Sequence, residues 1–381
     1  MSTRIYLAFV DDWELNGDGS GDPEEIQFRP LRKLTRLFDE RSIHGSFDTE
    51  VMQQIAFRRF EGEYPHLKPI ADAWEKVVTD AFRRGHDFQL HLHSQWKEAA
   101  YDGKKWNLTA PWSIIQHSRE DADRMIREGI QLLENLLRPI DPAYRCVSYR
   151  SGSWCIAPSE FMLELLAQHN IDFDISIVNG IYFNNKRLQL DYRYIEEGFF
   201  PFYPDMKDAR KVAPVKQDFV CVPANSFWGP RTFQLRRDCR KVAGKLFGAR
   251  GTNKSYGTSE VAYGSSNQDT YTQSACQSSL PTRLLRRLQS YIQGSWITSD
   301  LAFLNYQELS DMLRYIRLMA KRSGLDAVPV ILQNHTKAIK DFSHIARFLD
   351  DVAVASDLTC ITLTELAAML RSGKFQIRSQ R

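Results

Sequence analysis

The chain has 381 residues, of which 43% are hydrophobic and 25% are charged, and its formal net charge is only +3 at pH 7. This length and apolar content predict a globular protein with a substantial core, and the balanced charge gives no global indication of a nucleic-acid partner. No stretch approaches the roughly 20 apolar residues that span a bilayer, and the N-terminus shows no secretory signal. Six scattered cysteines, none in a Cys-x-x-Cys pair, predict free thiols, so we expect a cytoplasmic protein.

A buried strand is predicted at residues 5–14, where the sequence reads Ile-Tyr-Leu-Ala-Phe-Val-Asp-Asp-Trp-Glu. This run of apolar β-formers carries Asp11 and Asp12 near its end. Active sites of α/β folds collect at the carboxyl ends of parallel strands, so the two aspartates are candidate site residues. The alternative is that one of them caps the following segment while the other is solvated.

The next elements follow from hydrophobic spacing: a helix at 24–40, a strand at 45–51 and a helix at 70–84. The segment 88–93, Phe-Gln-Leu-His-Leu-His, alternates as a strand does, which places His91 and His93 on one face. Two histidines spaced in this way can reach one metal ion, because imidazole is a common ligand of zinc-like ions. The alternative is two surface histidines with other partners.

Four further elements continue the pattern: a helix at 118–137, a strand at 144–150, a helix at 158–169 and a strand at 171–176. The first of these strands ends on Arg150. The turn after it, Ser-Gly-Ser-Trp154, could aim backbone N–H groups at the same strand-end face. The regular alternation of strands and helices predicts a parallel barrel or an open parallel sheet.

An aromatic-rich, loop-like stretch at 180–225 is followed by a basic segment that breaks this pattern. Between 229 and 287 the chain has eleven Arg or Lys residues against three acidic residues. Its middle, 248–279, has the composition of a long loop or lid, and 281–292 predicts a basic amphipathic helix. Such charge is most often a solvated surface, and the sharper hypothesis is a collar for substrate phosphates or for anionic lipid head groups.

The regular pattern returns near residue 305, with helices at 305–323 and 343–354, strands at 328–332 and 359–362, and a C-terminal helix. The strand at 328–332 is followed by Gln-Asn-His, so His335 is a third histidine at a strand end. Six polar residues therefore lie where apolar strands stop, namely Asp11, Asp12, His91, His93, Arg150 and His335. Together they predict one site at the strand ends.

Four segments, in chain order, read Phe-Val-Asp-Asp-Trp, Gly-His-Asp-Phe-Gln-Leu-His-Leu-His-Ser-Gln-Trp, Tyr-Arg-Ser-Gly-Ser-Trp and Ile-Leu-Gln-Asn-His. Together they resemble the NodB-homology polysaccharide deacetylases of the carbohydrate esterase superfamily, and most of all the branch found in bacterial O-antigen and capsule loci. The resemblance covers about residues 4–180 and 300–367. It implies an α/β fold, a distorted (β/α)7 barrel, as a single domain over 1–381 with the basic segment inserted at about 229–290.

The resemblance also implies catalytic roles for the matching residues. Asp11 would be the general base, kept ionised by Arg150, since an opposite charge lowers the pKa of a carboxyl group. His335 would be the general acid. A backbone N–H near Ser153 would face the oxyanion, with Trp154 beside it as a substrate contact, although this turn reads Gly-Ser-Trp where the family tends to have Pro-Tyr.

Asp12 and His91 match metal ligands of the family, but the family's second metal histidine lies four residues after the first, where this chain has Gln95. Either His93 takes over as ligand, or Gln95 binds the metal weakly through its carbonyl oxygen and the site favours a harder metal, or metal affinity is lost. Gln95 is also a candidate oxyanion or substrate contact. We expect His93, because divalent transition metals prefer imidazole to amide oxygen. The expected metal is zinc, with cobalt, nickel and manganese as alternatives.

The expected function is a metal-dependent hydrolase that removes an acetyl, formyl or similar N-acyl group from a sugar of a surface-polysaccharide precursor. The substrate would be nucleotide-linked or lipid-linked, no nucleic acid would be bound, and the basic 229–290 segment could contact the inner membrane peripherally. Two alternatives stay open: an amide hydrolase acting on a non-sugar substrate, and a catalytically silent carbohydrate-binding or scaffold protein of a glycan assembly complex. Gln95 favours the silent alternative, whereas Asp11, Arg150 and His335 favour an enzyme.

Overall fold

Strands form the centre of the protein. The structure is a computed structural model, and it describes residues 3–185, 187–230, 233, 235, 236 and 294–380. The strands of this part of the chain are β1 (Arg4–Trp13), β2 (Ser46–Glu50), β3 (Asp87–Leu92), β4 (Ala100–Tyr101), β5 (Trp106–Asn107), β6 (Ser148–Ser151), β7 (Phe173–Asp174), β8 (Tyr182–Asn184), β9 (Gln189–Asp191), β10 (Pro204–Asp205), β11 (Asp208–Val212), β12 (Val220–Cys221), β13 (Ser226–Gly229), β14 (Ser295–Thr298), β15 (Ala327–Asn334) and β16 (Leu358–Cys360).

Helices alternate with the longer strands. They are α1 (Arg29–Asp39), α2 (Val51–Phe60), α3 (Leu67–Phe82), α4 (Arg119–Leu137), α5 (Met162–Gln168), α6 (Tyr306–Ser323), α7 (Ser343–Ala353) and α8 (Leu363–Arg371). A π-helical turn at Glu24–Phe28 leads into α1, and 3₁₀ turns lie at Ser94–Glu98, Ile114–Gln116, Gly152–Trp154 and Thr336–Ala338. None of the helices in the described part of the chain combines the length and the apolar character needed to cross a membrane.

Eight strands make one parallel sheet in the order β12-β7-β6-β3-β2-β1-β15, with β16 also paired to β1. One edge of β1 pairs with β15, and its other edge is shared by β16 and β2. Ala224, just after β12, forms a parallel bridge to Ile331 of β15 and so joins the two ends of the sheet. The prediction of a distorted (β/α)7 barrel is confirmed, and its parallel strands all direct their carboxyl ends to the same mouth.

The long strands are buried on both faces, between the barrel interior and the surrounding helices. Every residue of β3 and β15 is buried, and β1 is buried at all positions except Arg4 and Tyr6. This is why these strands read as nearly continuous apolar runs. Any polar side chain that such a strand carries at its end must find a partner inside the protein.

α2 is the one helix of the described residues that hydrophobic spacing does not predict. It begins directly after β2, and the Glu50 side chain accepts hydrogen bonds from the backbone N–H groups of Met52 and Gln53. A carboxylate in this position satisfies donors that a helix start otherwise leaves without partners. Because no turn separates strand from helix, the sequence contains no Gly, Pro or Asn signal between them.

β13 and β14 form a two-stranded antiparallel sheet at either end of the basic segment. The loop or lid predicted at 248–279 and the basic helix predicted at 281–292 lie outside the described residues. Within those residues the cysteines are free thiols, as predicted, and they are Cys146, Cys155, Cys221 and Cys360.

Candidate active site

The predicted site residues meet at the mouth of the barrel, on the ends of β1, β3, β6 and β15. Strand register makes them neighbours: Asp11 is level with Asn334, and His91 is level with both Glu50 and Arg150. All of these side chains are almost completely buried. Because burying a charge without a partner is costly, the contacts of each charged group indicate what it does.

Asp12 forms a buried ion pair with Arg150, whose Nε lies 3.2 Å from each carboxylate oxygen. His335 Nε2 lies 3.4 Å from Oδ2 of Asp12. Burial alone would raise the pKa of Asp12, but the positive charges of Arg150 and His335 outweigh burial and lower this pKa. Asp12 therefore stays ionised, which is the state that a general base requires.

Arg150 is held in place by further contacts. Its Nη1 donates to the carbonyl oxygen of Ile175 at 2.6 Å, and its Nη2 donates to Oε1 of Gln333 at 2.8 Å. The guanidinium also lies 5.8 Å from the centroid of the Trp154 ring. The planar fork of an arginine can satisfy several acceptors at once, so Arg150 has a single orientation toward Asp12.

Asp11 connects β1 to the turn after β15. One carboxylate oxygen accepts hydrogen bonds from the Asn334 amide and, at 2.8 Å, from the Thr336 backbone N–H, and the other accepts the Thr336 hydroxyl at 2.9 Å. Burial raises the pKa of Asp11 to about 7. The predicted contact of Asp11 with Arg150 is therefore wrong, since Arg150 contacts Asp12. The two aspartates differ because adjacent residues of a strand face opposite sides.

Within the described residues, Glu14, Glu50, His91 and His93 each bring a potential ligand atom within 4.8 Å of the others. Glu14 Oε2 contacts Nε2 of His93 and lies 3.3 Å from Nε2 of His91. The Glu50 oxygens are already used by backbone N–H groups, two at the start of α2 and one of His93. Glu14, His91 and His93 therefore form a two-histidine, one-carboxylate set, which suits a divalent transition metal.

Asp12 does not belong to this set, although the sequence predicts it as a metal ligand. Glu14 stands in its place, two residues after Asp12 and just beyond the end of β1. His91 and His93 do come together as predicted, with ring centroids 4.8 Å apart. Metal ligation by any of these residues remains a prediction.

Both histidines are oriented by contacts at their second ring nitrogen. His91 Nδ1 lies 2.9 Å from the carbonyl oxygen of Arg150, which fixes the ring so that Nε2 faces Oε2 of Glu14 at 3.3 Å. His93 Nδ1 lies 2.9 Å from Nε2 of Gln95. Gln95 therefore helps to fix the orientation of the His93 ring through its second nitrogen. Gly152 packs against His93, and a Cβ at this position would meet His93 Cγ at 2.9 Å, so a larger residue would displace the ring.

Lys337 neutralises Glu14 from the other side. Its Nζ lies 2.6 Å from Glu14 Oε1 and 3.0 Å from the carbonyl oxygen of Leu15. Burial alone would raise the pKa of Glu14, but His93 and Lys337 hold this pKa well below its usual range. Glu14 is therefore an ionised carboxylate with Oε1 bound to Lys337 and Oε2 directed at the two histidines.

His335 has the contacts of a general acid. Its Nδ1 lies 2.6 Å from Oδ2 of Asp300, and its Nε2 faces Asp12. Burial alone would lower the pKa of His335, but the carboxylates of Asp300 and Asp12 outweigh burial and raise it. The ring thus keeps a proton on Nε2 that it can give to a leaving group.

The turn after β6 borders the same centre. Ser153 and Trp154 are buried and both have left-handed backbone conformations, with φ of 55° and 59°. The Trp154 ring lies edge-on to His335, at a centroid distance of 5.7 Å, and is stacked with Phe183. Trp154 is therefore a wall of the site, and the oxyanion role predicted for the backbone near Ser153 remains a prediction.

Glu14, Asp300 and Lys337 are the residues that sequence reasoning misses. Glu14 carries a usable signal, because it lies at i+2 from Asp12 and so shares its strand face. Lys337 follows His335 at the same spacing, but a lysine after a strand is usually solvated. Asp300 has no signal in the sequence, since its contact with His335 spans 35 residues.

No protein-family model matches the chain, and no curated protein matches it. Its fold is similar to a putative polysaccharide deacetylase from Mycobacterium smegmatis, with a TM-score of 0.51, 12% identity, and coverage of 100% of this chain and 95% of that one. A probable polysaccharide deacetylase from Pseudomonas aeruginosa PAO1 (TM-score 0.47, 11% identity, coverage 98% and 93%) and a Puue allantoinase (TM-score 0.47, 10% identity, coverage 97% and 91%) are also similar. The first of these likenesses shows the fold.

Proposed function

We propose that the protein is a metal-dependent hydrolase that removes an N-acyl group, acetyl or formyl, from a sugar of a surface-polysaccharide precursor. The observation that carries the proposal is the contact of Asp12 with both Arg150 and His335, at 3.2 and 3.4 Å. An ionised carboxylate and a protonated imidazole then stand side by side. This is the pair of groups that amide hydrolysis needs, one to take a proton and one to give it.

Glu14, His91 and His93 are the residues that would hold the metal. Their facing atoms are a carboxylate oxygen and two imidazole nitrogens, and all three side chains are buried. Glu14 is ionised, and the hydrogen bond of His91 to the Arg150 carbonyl oxygen turns Nε2 of His91 toward Glu14. When bound, a divalent metal supplies Lewis acidity that polarises the acyl carbonyl. Zinc remains the expected ion, because imidazole and carboxylate are its common protein ligands.

The proton transfers are assigned to side chains of this chain. Asp12 takes a proton from the attacking water as the new carbon–oxygen bond forms, and Arg150 keeps its carboxylate available. His335 gives the proton on Nε2 to the sugar nitrogen as the carbon–nitrogen bond breaks, while Asp300 stabilises the charged ring. The products are a carboxylic acid and an amine. The 3.4 Å contact between Asp12 and His335 lets the proton on Asp12 return to the histidine.

The sugar part of the proposal rests on the sequence resemblance and on the fold shared with a putative polysaccharide deacetylase. A nucleotide-linked or lipid-linked precursor would place a diphosphate near the enzyme, and the basic residues at 229–290 have the charge to bind it. Peripheral contact of the same segment with anionic lipid is part of this proposal.

A substrate panel tests the reaction. Purified protein loaded with Zn²⁺ is offered an N-acetylated free sugar, the same sugar linked to a nucleoside diphosphate, and a cyclic amide that is not a sugar. We expect release of acetate, with the highest kcat/KM for the diphosphate-linked sugar. Hydrolysis of the cyclic amide alone would replace the sugar proposal with the non-sugar amide hydrolase, and equal rates on the two sugars would remove the role of the phosphates.

Metal content tests the alternative of a silent carbohydrate-binding protein. Elemental analysis is done on purified protein, on protein dialysed against Zn²⁺, and on a Glu14→Gln variant treated identically. We expect about one metal ion per chain for the first two and clearly less for the variant, because the variant lacks the ionised carboxylate of the ligand set. Protein that neither contains nor takes up a divalent metal would favour the silent alternative.

A further inference from the structure

We infer that Tyr192 is a positioning residue for the proposed reaction: its hydroxyl group holds the turn after β6, residues 152–156, in the left-handed conformation that places it beside the active site. Tyr192 lies directly after β9, in the aromatic-rich stretch of the chain. The inference rests on the proposed function, since the turn borders the same centre. It adds a residue that acts on the site through the backbone of this turn.

The turn has a conformation that its residues do not favour. Ser153 and Trp154 have φ of 55° and 59°, so two successive residues that carry a Cβ are left-handed. This conformation brings Cβ close to the following carbonyl oxygen, and only glycine adopts it without cost. Residues in such conformations persist only where the surrounding structure fixes them, and they cluster at functional sites. Contacts from outside the turn must therefore hold it.

The Tyr192 hydroxyl group supplies two of these contacts. It donates to the carbonyl oxygen of Trp154 at 2.5 Å and accepts the backbone N–H of Ile156 at 3.3 Å. A hydroxyl group offers one donor and two acceptor positions, so both hydrogen bonds can form at once. Burial raises the pKa of Tyr192 well above its usual range, so the phenol keeps the proton that it donates.

Tyr192 is itself fixed by the hairpin of β8 and β9. Its backbone N–H donates to the carbonyl oxygen of Ile181 at 2.8 Å, its carbonyl oxygen accepts the N–H of Gly180 at 3.0 Å, and its side chain is fully buried. The same hairpin supplies Phe183, whose ring stacks on Trp154 with an angle of 9° between the ring planes. The hairpin therefore holds the turn both at its backbone and at its side chain.

The turn connects this support to the reacting groups. The centroid of the Trp154 ring lies 5.7 Å from that of His335 and 5.8 Å from Cζ of Arg150. The backbone near Ser153 is where the oxyanion donor is expected. A shift of the turn would move this donor and the wall beside the general acid together, and a misplacement of about 1 Å can cost about 10²-fold in rate.

Two phenylalanine variants test the role of the hydroxyl group. Tyr192→Phe removes its two hydrogen bonds and keeps the ring. Tyr144→Phe is the matched control, because the buried Tyr144 hydroxyl also donates to a backbone carbonyl oxygen, that of Phe88 at 2.6 Å, at the other end of β6. Both variants should unfold at lower urea concentration than the unaltered protein, because each loses a buried hydrogen bond.

The kinetic constants separate the two variants. They are measured with Zn²⁺-loaded protein and the substrate of the panel that the unaltered protein cleaves fastest. We expect Tyr192→Phe to lower kcat by about 10- to 100-fold, with little change in KM or in Co²⁺ binding measured by titration. Tyr144→Phe should keep the kcat of the unaltered protein.

The outcomes distinguish the inference from the proposed function. Folded Tyr192→Phe with the same kcat as Tyr144→Phe would show that Tyr192 serves stability alone, which overturns the inference and leaves the proposed function intact. Unaltered protein that hydrolyses none of the three substrates of the panel overturns both.

Replacement of Ser153 tests the conformation of the turn and needs neither activity nor a variant of Tyr192. Ser153→Gly and Ser153→Ala both remove the hydroxyl group, but only glycine is left-handed without cost. We expect Ser153→Gly to unfold at higher urea concentration than Ser153→Ala. The opposite order would show that the turn is not left-handed, and it would overturn the inference even if Tyr192→Phe did not fold.

Discussion

Asp11 and Asp12 are neighbours in the chain, yet they serve different parts of the molecule. Asp12 faces Arg150 and His335, whereas Asp11 accepts three hydrogen bonds from Asn334 and Thr336. The alternation of side chains along a strand accounts for the difference, since successive residues point to opposite faces. We therefore expect one of the two aspartates to act in chemistry and the other to hold β1 against the end of β15.

The paired variants Asp12→Asn and Asp11→Asn separate these roles. We expect Asp12→Asn to lower kcat by about 10²- to 10⁴-fold, as loss of a general base does, without loss of Co²⁺ binding. Asp11→Asn should lower the free energy of unfolding by about 1–3 kcal/mol, because it disturbs buried hydrogen bonds, and should keep most of the kcat of the folded protein. The measurements are steady-state kinetics, Co²⁺ titration and urea unfolding. The reverse pattern would restore Asp11 as the base.

The pair His335–Asp300 predicts a shift of the pH profile. Asp300 raises the pKa of His335, and a general acid works only while it is protonated, so activity is lost as pH rises through this pKa. Asp300→Asn removes the carboxylate charge, and we expect the alkaline limb of kcat to move to lower pH. Asp326→Asn, an exposed change at the other end of β15, is the control and should leave the limb in place. An unmoved limb in Asp300→Asn would exclude His335 as the acid.

The turn after β15 brings the carboxyl ends of β1 and β15 together in the site. The segment from His335 to Lys337 follows β15 directly, and each of its residues contacts an acidic residue at or just after the end of β1: His335 with Asp12, Thr336 with Asp11, and Lys337 with Glu14. These contacts span more than 320 residues of sequence. The parallel pairing of β1 with β15 is what makes them possible, because it places both carboxyl ends side by side.

Packing of α4 against the sheet gives a stability prediction. A Cβ at Gly129 would lie 2.7 Å from Cγ2 of Val51 and 2.8 Å from Cδ1 of Leu90, closer than atoms can pack. Alanine improves helix propensity by about 1 kcal/mol, but overpacking a buried contact costs about 1–3 kcal/mol. We expect Gly129→Ala to lower the free energy of unfolding, measured with urea.

Gly62→Ala is the matched control for this change, because nothing lies within 4 Å of a Cβ at Gly62. Its free energy of unfolding should stay within about 0.5 kcal/mol of the unaltered protein. If Gly129→Ala were as stable as the control or more stable, then α4 would have room to move away from β3.

The two ends of the barrel sheet are joined by the backbone bridge of Ala224 to Ile331 and by the side chain of Asn225. The side-chain Oδ1 of Asn225 accepts a hydrogen bond from the backbone N–H of Ile331 at 2.7 Å, and the backbone N–H of Asn225 donates to the Ile331 carbonyl oxygen at 3.0 Å. The side-chain Nδ2 of Asn225 donates to the carbonyl oxygen of Phe199 at 3.1 Å. The side chain therefore replaces a neighbouring strand along part of this edge of β15. An exposed strand edge is otherwise a row of donors and acceptors without partners.

Replacement of Asn225 tests this closure. Asn225→Ala leaves the Ile331 N–H without its acceptor, and we expect the free energy of unfolding to fall by about 1–3 kcal/mol. Hydrogen exchange locates the effect: the amide of Ile331 should exchange faster, while the amide of Leu332, which faces β1 on the other edge, should keep its protection. Equal acceleration of both amides would mean that the variant loosens the whole sheet and not its closure.

Most of the architecture can be predicted from hydrophobic patterning. Apolar runs and helical spacing predict seven of the eight helices of the described residues and the order of the main strands, since burial on both faces leaves a pattern in composition. The polar residues at the strand ends also predict that the site lies at the mouth of the barrel, because charged side chains at the ends of buried strands need partners inside the protein. β6 and β7 are shorter than predicted, at Ser148–Ser151 and Phe173–Asp174, because only these residues pair with the neighbouring strands of the sheet.

The tertiary structure decides which residue contacts which. Only the fold shows that Arg150 meets Asp12, that Glu14 stands with His91 and His93, and that Asp300 supports His335. These contacts depend on strand register, on alternation between faces, and on segments far apart in sequence. Local composition carries no record of such pairings, because the energy of a buried charge depends on the partners that the whole fold brings to it.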